Sequence, residues 1–197
     1  MVKVILNGEE KNFSAQEFEN FGELLKSVVT EGQVLKTLRI NDKDIPVSFI
    51  DDLRSAKLDE ELLIEIETQD AISFLKDTLR DVLGYIKNVK ELLPQVASNV
   101  ITGNEAGWKA IKDLSEGLSA MENLRNSTNQ ITRLNESELA LSAERQAVAE
   151  ILRELLDALD RRDTFEISDL VENNIPVVLD YYIEYFSKVL EAIDKVN

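Results

Sequence analysis

The stretch LLIEIETQDAISFLKDTLRDVLGYIKNV, residues 62–89, decides the fold because its hydrophobic period changes partway along it. Apolar side chains alternate over residues 62–66, which is the period of a β-strand. From Asp70 onward the apolar residues recur every three or four positions, which is the period of an amphipathic helix. The change predicts a sheet domain over residues 1–68 and a helical domain over residues 69–197.

Toward the N-terminus, the chain contains further segments of strand and helix character. Apolar residues alternate in VKVIL, and the Asn7-Gly8 pair that follows is a strong hairpin signal because both residues tolerate a positive φ. The segment FGELLKSVV predicts a short helix, capped by Asn20 with Glu23 three residues later. Strand character returns in LRI, which precedes the polar turn NDKD, and again in LLIEIE.

Four segments carry a family resemblance: VKVILNGEEKNF, FGELLKSVV, LRINDKDI and FIDDLRSAKLDEELLIEIE. Their order resembles that of a ubiquitin-like β-grasp domain, over about a third of the chain. The resemblance implies a compact domain whose relatives mostly serve as recognition modules. Conjugation and sulfur-carrier chemistry are not implied, because Glu67 leads through Thr68-Gln69-Asp70 into a helix and not to a terminal Gly-Gly.

The helical half predicts four helices, at about residues 70–101, 105–133, 136–160 and 165–196. The apolar seam of the first helix crosses Pro94 and that of the last crosses Pro176, so each proline predicts a kink and not a stop. Asn135 with Glu138 forms a capping box that predicts the start of the third helix. Short links between long helices predict an antiparallel up-down-up-down bundle. The predicted fold class is therefore α+β, a β-grasp domain followed by an antiparallel four-helix bundle.

Charge and composition exclude several classes of function. With 22 basic and 38 acidic residues, the chain carries a formal charge of −16, which disfavours binding to the phosphates of nucleic acid. Cysteine and histidine are both absent from the sequence, which excludes disulfides, Cys/His zinc sites and imidazole-based catalytic triads. No apolar stretch reaches the ~18 residues of a membrane span. We expect a cytoplasmic protein with no membrane attachment.

Carboxylate clusters are the remaining candidates for chemistry. A di-iron centre of the usual bundle type needs histidine, so hard cations such as Mg²⁺ or Ca²⁺ at Asp51-Asp52 or Asp59-Glu60-Glu61 are the alternative. These acids lie in turn-like segments without calcium-loop spacing and are more simply solvated loop residues. The sequence thus predicts no catalytic, metal-binding or cofactor-binding residue.

An aromatic cluster near the last proline is the first candidate for binding a partner. Tyr181, Tyr185 and Phe186 crowd with Tyr182 onto less than two helical turns, where not all can face inward. Tyr181 falls off the apolar seam, and an exposed aromatic there would suit docking of a partner helix. The alternative is a tyrosine at the edge of the core that keeps its hydroxyl in water.

The second candidate is Arg161-Arg162, an adjacent basic pair in a very acidic chain. The pair would suit an acidic segment of a partner. The alternative is that it complements the dipole at the end of the third helix and caps its carbonyls.

These features favour a non-enzymatic protein-protein interaction module: an adaptor, a scaffold or a chaperone. As an acidic bundle protein of this size, the chain resembles bacterial secretion and flagellar export chaperones. The resemblance implies a protein partner that offers an amphipathic helix. Two alternatives stay open. One is a self-assembling structural protein, for example a homodimer. The other is an enzyme that depends on carboxylates.

Overall fold

The structure is a computed structural model that describes residues 1–46, 49–59 and 61–196, the last of them by its backbone alone. Glu60, one of the candidate cation ligands, lies outside the described residues. The chain divides into two compact units, Met1–Phe74 and Leu75–Asn197. We call them the sheet unit and the helical unit. The predicted α+β class is confirmed: a five-stranded sheet is followed by a bundle of long helices.

The sheet unit is built on five strands: β1 (Val2–Leu6), β2 (Glu9–Phe13), β3 (Gln33–Ile40), β4 (Lys43–Asp44) and β5 (Leu62–Asp70). They lie in the order β2-β1-β5-β3-β4. β1 runs parallel to β5, and the other neighbouring pairs are antiparallel. This is the β-grasp arrangement that the sequence predicts.

Two helices complete this unit, α1 (Phe21–Val28) and α2 (Ile50–Leu53). The Asn20 side chain caps α1 as predicted, since its Oδ1 accepts a hydrogen bond from the Glu23 amide at 3.0 Å. Asn7 and Gly8 both have positive φ, as the predicted hairpin turn requires. The apolar residues of α1 pack with the inward-facing side chains of the strands into one buried core.

The helical unit contains the long helices α3 (Ala71–Ile101), α4 (Glu105–Thr132) and α5 (Ser142–Asp160). α3 begins in the sheet unit, and the division between units falls within its first turn. The last helical rod is continuous and consists of α6 (Thr164–Asp169), a π-helical turn (Leu170–Asn174) and α7 (Ile175–Val196). Every helix among the described residues is too short or too polar to cross a membrane.

Two ion pairs show that α3 and α7 are antiparallel. Lys76 near the start of α3 pairs with Asp194 near the end of α7 at 2.7 Å, and Lys90, further along α3, pairs with Asp180 at 2.5 Å. Residue numbers therefore increase along α3 in the direction in which they decrease along α7. Opposite directions of the first and last rods are what an up-down-up-down bundle predicts.

Both prolines lie within helical rods, as predicted. α3 passes through Pro94 without ending. Pro176 follows directly on a π-helical turn. In this turn the Ile175 amide donates to the Leu170 carbonyl, five residues earlier. A proline has no amide hydrogen, and its ring collides with the carbonyl four residues earlier. The wider turn lets the rod continue through this position.

The third long helix differs from the prediction, because it begins at Ser142 and not at about residue 136. The predicted capping box does form: Asn135 Oδ1 accepts from the Glu138 amide, and Glu138 Oε2 accepts from the Asn135 amide. It opens only a turn, since Ala140 adopts a φ of +54°. The segment 133–141 is instead held by side chains of α4 and α7, as described next.

Candidate functional site

The aromatic cluster of α7 is buried within the helical unit. Tyr181 is only 3% exposed, and Tyr185 and Phe186 are fully buried. The expectation of an exposed aromatic beside Pro176 is therefore wrong. The physical reason is that polar partners lie inside the bundle, so the tyrosine hydroxyls do not need water. In this structure none of the three offers a surface on which a partner could dock.

Segment 133–141 supplies several of these partners. The Tyr181 hydroxyl donates to Glu136 Oε1 at 3.1 Å, and the Tyr185 hydroxyl donates to the Leu134 carbonyl at 3.1 Å. The ammonium group of Lys188 donates to the Leu139 carbonyl at 3.0 Å. The Leu139 carbonyl is one that a helix beginning at residue 136 would have used for its own hydrogen bond, and the contact with Lys188 favours the later start of α5.

Glu122 of α4 is the centre of the polar network. Its carboxylate accepts two hydrogen bonds from Arg125, at 2.8 and 3.2 Å, and two from Arg145 of α5, at 2.7 and 3.1 Å. The Tyr182 hydroxyl adds a fifth at 2.9 Å. One carboxylate thus ties together three helices.

Arg125 extends the network to segment 133–141. Its guanidinium is largely buried and also donates to Glu136 Oε1 and, at 2.6 Å, to Asn126 Oδ1. The two arginines and two glutamates balance in charge. Burial alone would raise the pKa of Glu122, but the hydrogen bonds from Arg125 and Tyr182 and the two guanidinium charges hold it below its usual value.

The chemistry of the network is structural. Burial first, and then the neighbouring carboxylates, raise the pKa values of Tyr181 and Tyr182, and that of Tyr185 rises to about 12. A tyrosine that acts as nucleophile or base needs a lowered pKa. These hydroxyls therefore serve as hydrogen-bond donors, and the network holds α4, α5, α7 and segment 133–141 in one arrangement.

One buried hydroxyl of α4 stands outside the network. Thr128 is fully buried, and its Oγ1 has no hydrogen-bond partner within the described part of the chain. Thr128→Val removes this hydroxyl at nearly constant shape and should raise the free energy of unfolding by about 1 kcal/mol. Thr132→Val is the matched control, since the Thr132 hydroxyl bonds the Thr128 carbonyl and the Leu134 amide and its loss should destabilise. Urea denaturation of both variants tests this; a less stable Thr128→Val contradicts it.

The predicted basic pair lies at the exposed turn between α5 and α6. Arg161 Nε donates to the Asp157 carbonyl at 3.2 Å, and its Nη2 pairs with Glu166 at 2.6 Å. Arg161 therefore caps the end of α5, as one of the two interpretations predicts. Arg162 has a φ of +52° and forms the turn itself. Binding of an acidic partner by this pair stays a prediction.

Two apolar grooves border α4, one on each side. The first, which we call the leucine groove, lies between α4 and α5 and has a volume of about 290 Å³. Its apolar lining is Leu118, Leu152, Leu155, Leu156 and Leu159, and its polar lining is Ser115, Ser119, Glu122 and Asn123. The short serines of α4 leave the space that the groove occupies.

The second, which we call the tyrosine groove, lies between α3 and α4 and has a volume of about 220 Å³. Helix α3 contributes Tyr85, Val89, Leu92, Leu93 and Val96. Helix α4 contributes Ala110, Asp113, Leu114, Gly117 and Met121. Small residues on α4, here Ala110 and Gly117, again make the room.

The leucine groove repeats one spacing on both of its walls. Its leucines on α5 lie at positions i, i+3, i+4 and i+7, and its lining residues on α4 from Ser115 to Glu122 follow the same spacing. Leu156 remains 62% exposed at its edge. Rows of this spacing on two facing helices are typical of grooves that accept an amphipathic helix.

The sequence pattern alone did not identify this groove, because all four α5 leucines fit an apolar seam. The signal lay in the pairing of excess leucine on one helix with short serines on its neighbour. The acidic clusters are different: among the described residues, no group of three or more acidic side chains is placed to hold a metal ion.

Comparison with known families identifies the helical unit. The chain belongs to the family described as Domain of unknown function (DUF8042), whose model matches residues 77–180. This range is more than half of the chain and contains every residue that lines the two grooves. Neither a curated protein nor a solved structure matches the chain.

Proposed function

We propose that this chain is a non-enzymatic protein-binding module of the cytoplasm, an adaptor or chaperone, that takes an amphipathic helix of another protein into the leucine groove. The observation that carries the proposal is the exposed Leu156 beside a groove with helical spacing on both walls. The reducing conditions of the cytoplasm suit a chain without cysteine.

The energetics of the groove favour such an occupant. Fully burying a leucine side chain contributes about 1.5–3 kcal/mol, so covering Leu156 and its neighbours would supply much of the free energy of a specific complex. The polar wall from Ser115 to Asn123 would pair with the polar face of the same helix. Both properties select a helix with one apolar face.

The polar network supports a binding role over an enzymatic one. Its carboxylates are already bonded to arginines, and its tyrosines have raised pKa values. Groups in this state maintain the bundle and do not transfer protons near neutral pH. The apolar grooves are the surfaces left for function.

The test is site-specific photo-crosslinking in the source organism. A benzoylphenylalanine at position 156 should crosslink to an amphipathic segment of one partner protein. The control position is Val177 of α7, which is 48% exposed and lies outside both grooves. Leu156→Asp should abolish the complex and Val177→Asp should keep it. Equal capture from both positions, or an unchanged complex with Leu156→Asp, would contradict the proposal.

A second copy of the chain is the competing occupant. Leu156 lines the groove and is exposed at its edge, so in a two-fold dimer each copy could insert its Leu156 into the groove of the other. Sedimentation equilibrium distinguishes the two, because self-assembly predicts a dimer that Leu156→Asp dissociates, whereas the adaptor proposal predicts a monomer in the absence of its partner.

A further inference from the structure

The tyrosine groove differs from the leucine groove in carrying a free carboxylate. Asp113 is the charged residue among its ten lining residues. It is exposed and has neither a hydrogen bond nor an ion pair with any described residue. Its neighbour on α4, Glu116, pairs with Lys112 at 3.6 Å.

Large apolar side chains stay exposed in the same groove. Tyr85 is 51% exposed and Leu92 is 53% exposed, one on each side of Val89. Gly117 lies beneath the phenol: a Cβ at this position would be 3.3 Å from the Tyr85 hydroxyl oxygen. The groove therefore offers an apolar surface, an aromatic ring and a negative charge together.

We infer that the tyrosine groove is a second binding site, and that it takes a basic amphipathic helix of a partner protein with a lysine or arginine paired to Asp113. Aliphatic side chains of that helix cover Leu92 and Val89. Its cation is attracted by the Asp113 carboxylate. The charge of −16 on the whole chain draws basic segments toward it.

The length of the groove selects a helix over a small amine. Its lining on α3 runs from Tyr85 to Val96 and its lining on α4 from Ala110 to Met121. Each wall spans about three helical turns, or roughly 16 Å. A small cationic molecule would contact Asp113 and leave most of this surface uncovered.

The probe is a fluorescein-labelled synthetic helix of leucine and lysine with leucines at i, i+3, i+4 and i+7, measured by anisotropy on the full-length chain. A leucine-glutamate helix of the same pattern is its control. We expect the lysine helix to bind and Asp113→Asn to weaken it about five- to tenfold. Glu116→Gln removes the same charge outside the groove and should leave the affinity within about twofold.

Gly117→Ala separates binding from stability. The added methyl group takes up space in the groove and pushes the Tyr85 hydroxyl aside by a few tenths of an ångström, so binding should weaken, although alanine favours the helix and should raise the melting temperature by about 2–4 °C. Gly84→Ala on α3 is the matched control, because no atom lies within 4 Å of its added Cβ. It should stabilise equally and bind normally.

Two results would overturn the inference. Equal weakening by Asp113→Asn and Glu116→Gln would show attraction to surface charge alone. If Leu156→Asp abolished binding of the lysine helix, that helix would be bound in the leucine groove. We expect the Leu156→Asp variant to bind the lysine helix with unchanged affinity. A failure of this inference can then be distinguished from a failure of the proposal for the leucine groove.

Discussion

Arg125→Met should lower the free energy of unfolding by about 3–5 kcal/mol, the largest effect we expect from a single substitution. Arg125 donates to both Glu122 and Glu136, and its guanidinium is largely buried. Methionine preserves the length of the side chain but leaves Glu136 in a half-buried site without its cation. The helices that Glu122 joins then lose part of their connection.

The measurement is guanidinium chloride denaturation followed by the fluorescence of Trp108, the single tryptophan, which lies in α4. Trp108 reports on the helical unit whether or not the sheet unit unfolds with it. Arg153→Met on the exposed face of α5 is the control and should change stability by less than about 0.5 kcal/mol. A loss below about 1 kcal/mol for Arg125→Met would show that the network does not hold the bundle together.

Gly107→Ala should destabilise the helical unit by about 2–3 kcal/mol. A Cβ at Gly107 would lie 2.4 Å from the Asn99 carbonyl oxygen and 2.8 Å from its carbon, so α3 and α4 would have to separate. These atoms are backbone and cannot rotate away. The steric cost exceeds the gain from alanine, which is at most about 1 kcal/mol in a helix interior and less in the first turn, where Gly107 lies.

The same denaturation assay with Gly84→Ala beside it tests this prediction. Both substitutions add one methyl group to a helix, but only Gly107 faces backbone of another helix. The two variants should therefore move stability in opposite directions. A stabilised Gly107→Ala would mean that α3 and α4 are further apart at this position than the structure has them.

Local pattern was sufficient for most of the fold. The alternation in β1 and β5 follows directly from burial on one face of a sheet, and Val2 and Ile64 are fully buried as that pattern requires. The seams of α3 and α7 were equally readable, because helical periodicity persists through Pro94 and Pro176. These are properties of neighbouring residues in the chain.

The features that were not predictable depend on residues distant in sequence. Tyr181 is buried because Glu136, 45 residues earlier, accepts its hydrogen bond. The start of α5 moved to Ser142 for the same reason, since segment 133–141 serves α7. A capping box indicates where a helix can begin, but long-range hydrogen bonds decide whether it continues.

The grooves could not be predicted from local pattern either, because each is formed by residues of two different helices. Leu156 fits the apolar seam of α5, and only the short Ser115 and Ser119 on α4 leave it exposed. Asp113 has the sequence pattern of an ordinary surface acid, and only the packing of α3 on α4 brings it into one groove with Tyr85 and Leu92. Both grooves lie where the side chains of α4 are too small to fill the bundle.

Methyl-resolved NMR of the full-length chain, titrated with the segment that crosslinks to position 156, tests the central claim most directly. We predict shifts concentrated on the methyl groups of Leu152, Leu156 and Leu159, with the buried leucines of the sheet unit, such as Leu24 and Leu38, unchanged. Shifts confined to the sheet unit, with the α5 leucines unmoved, would contradict the claim that the leucine groove is the binding site.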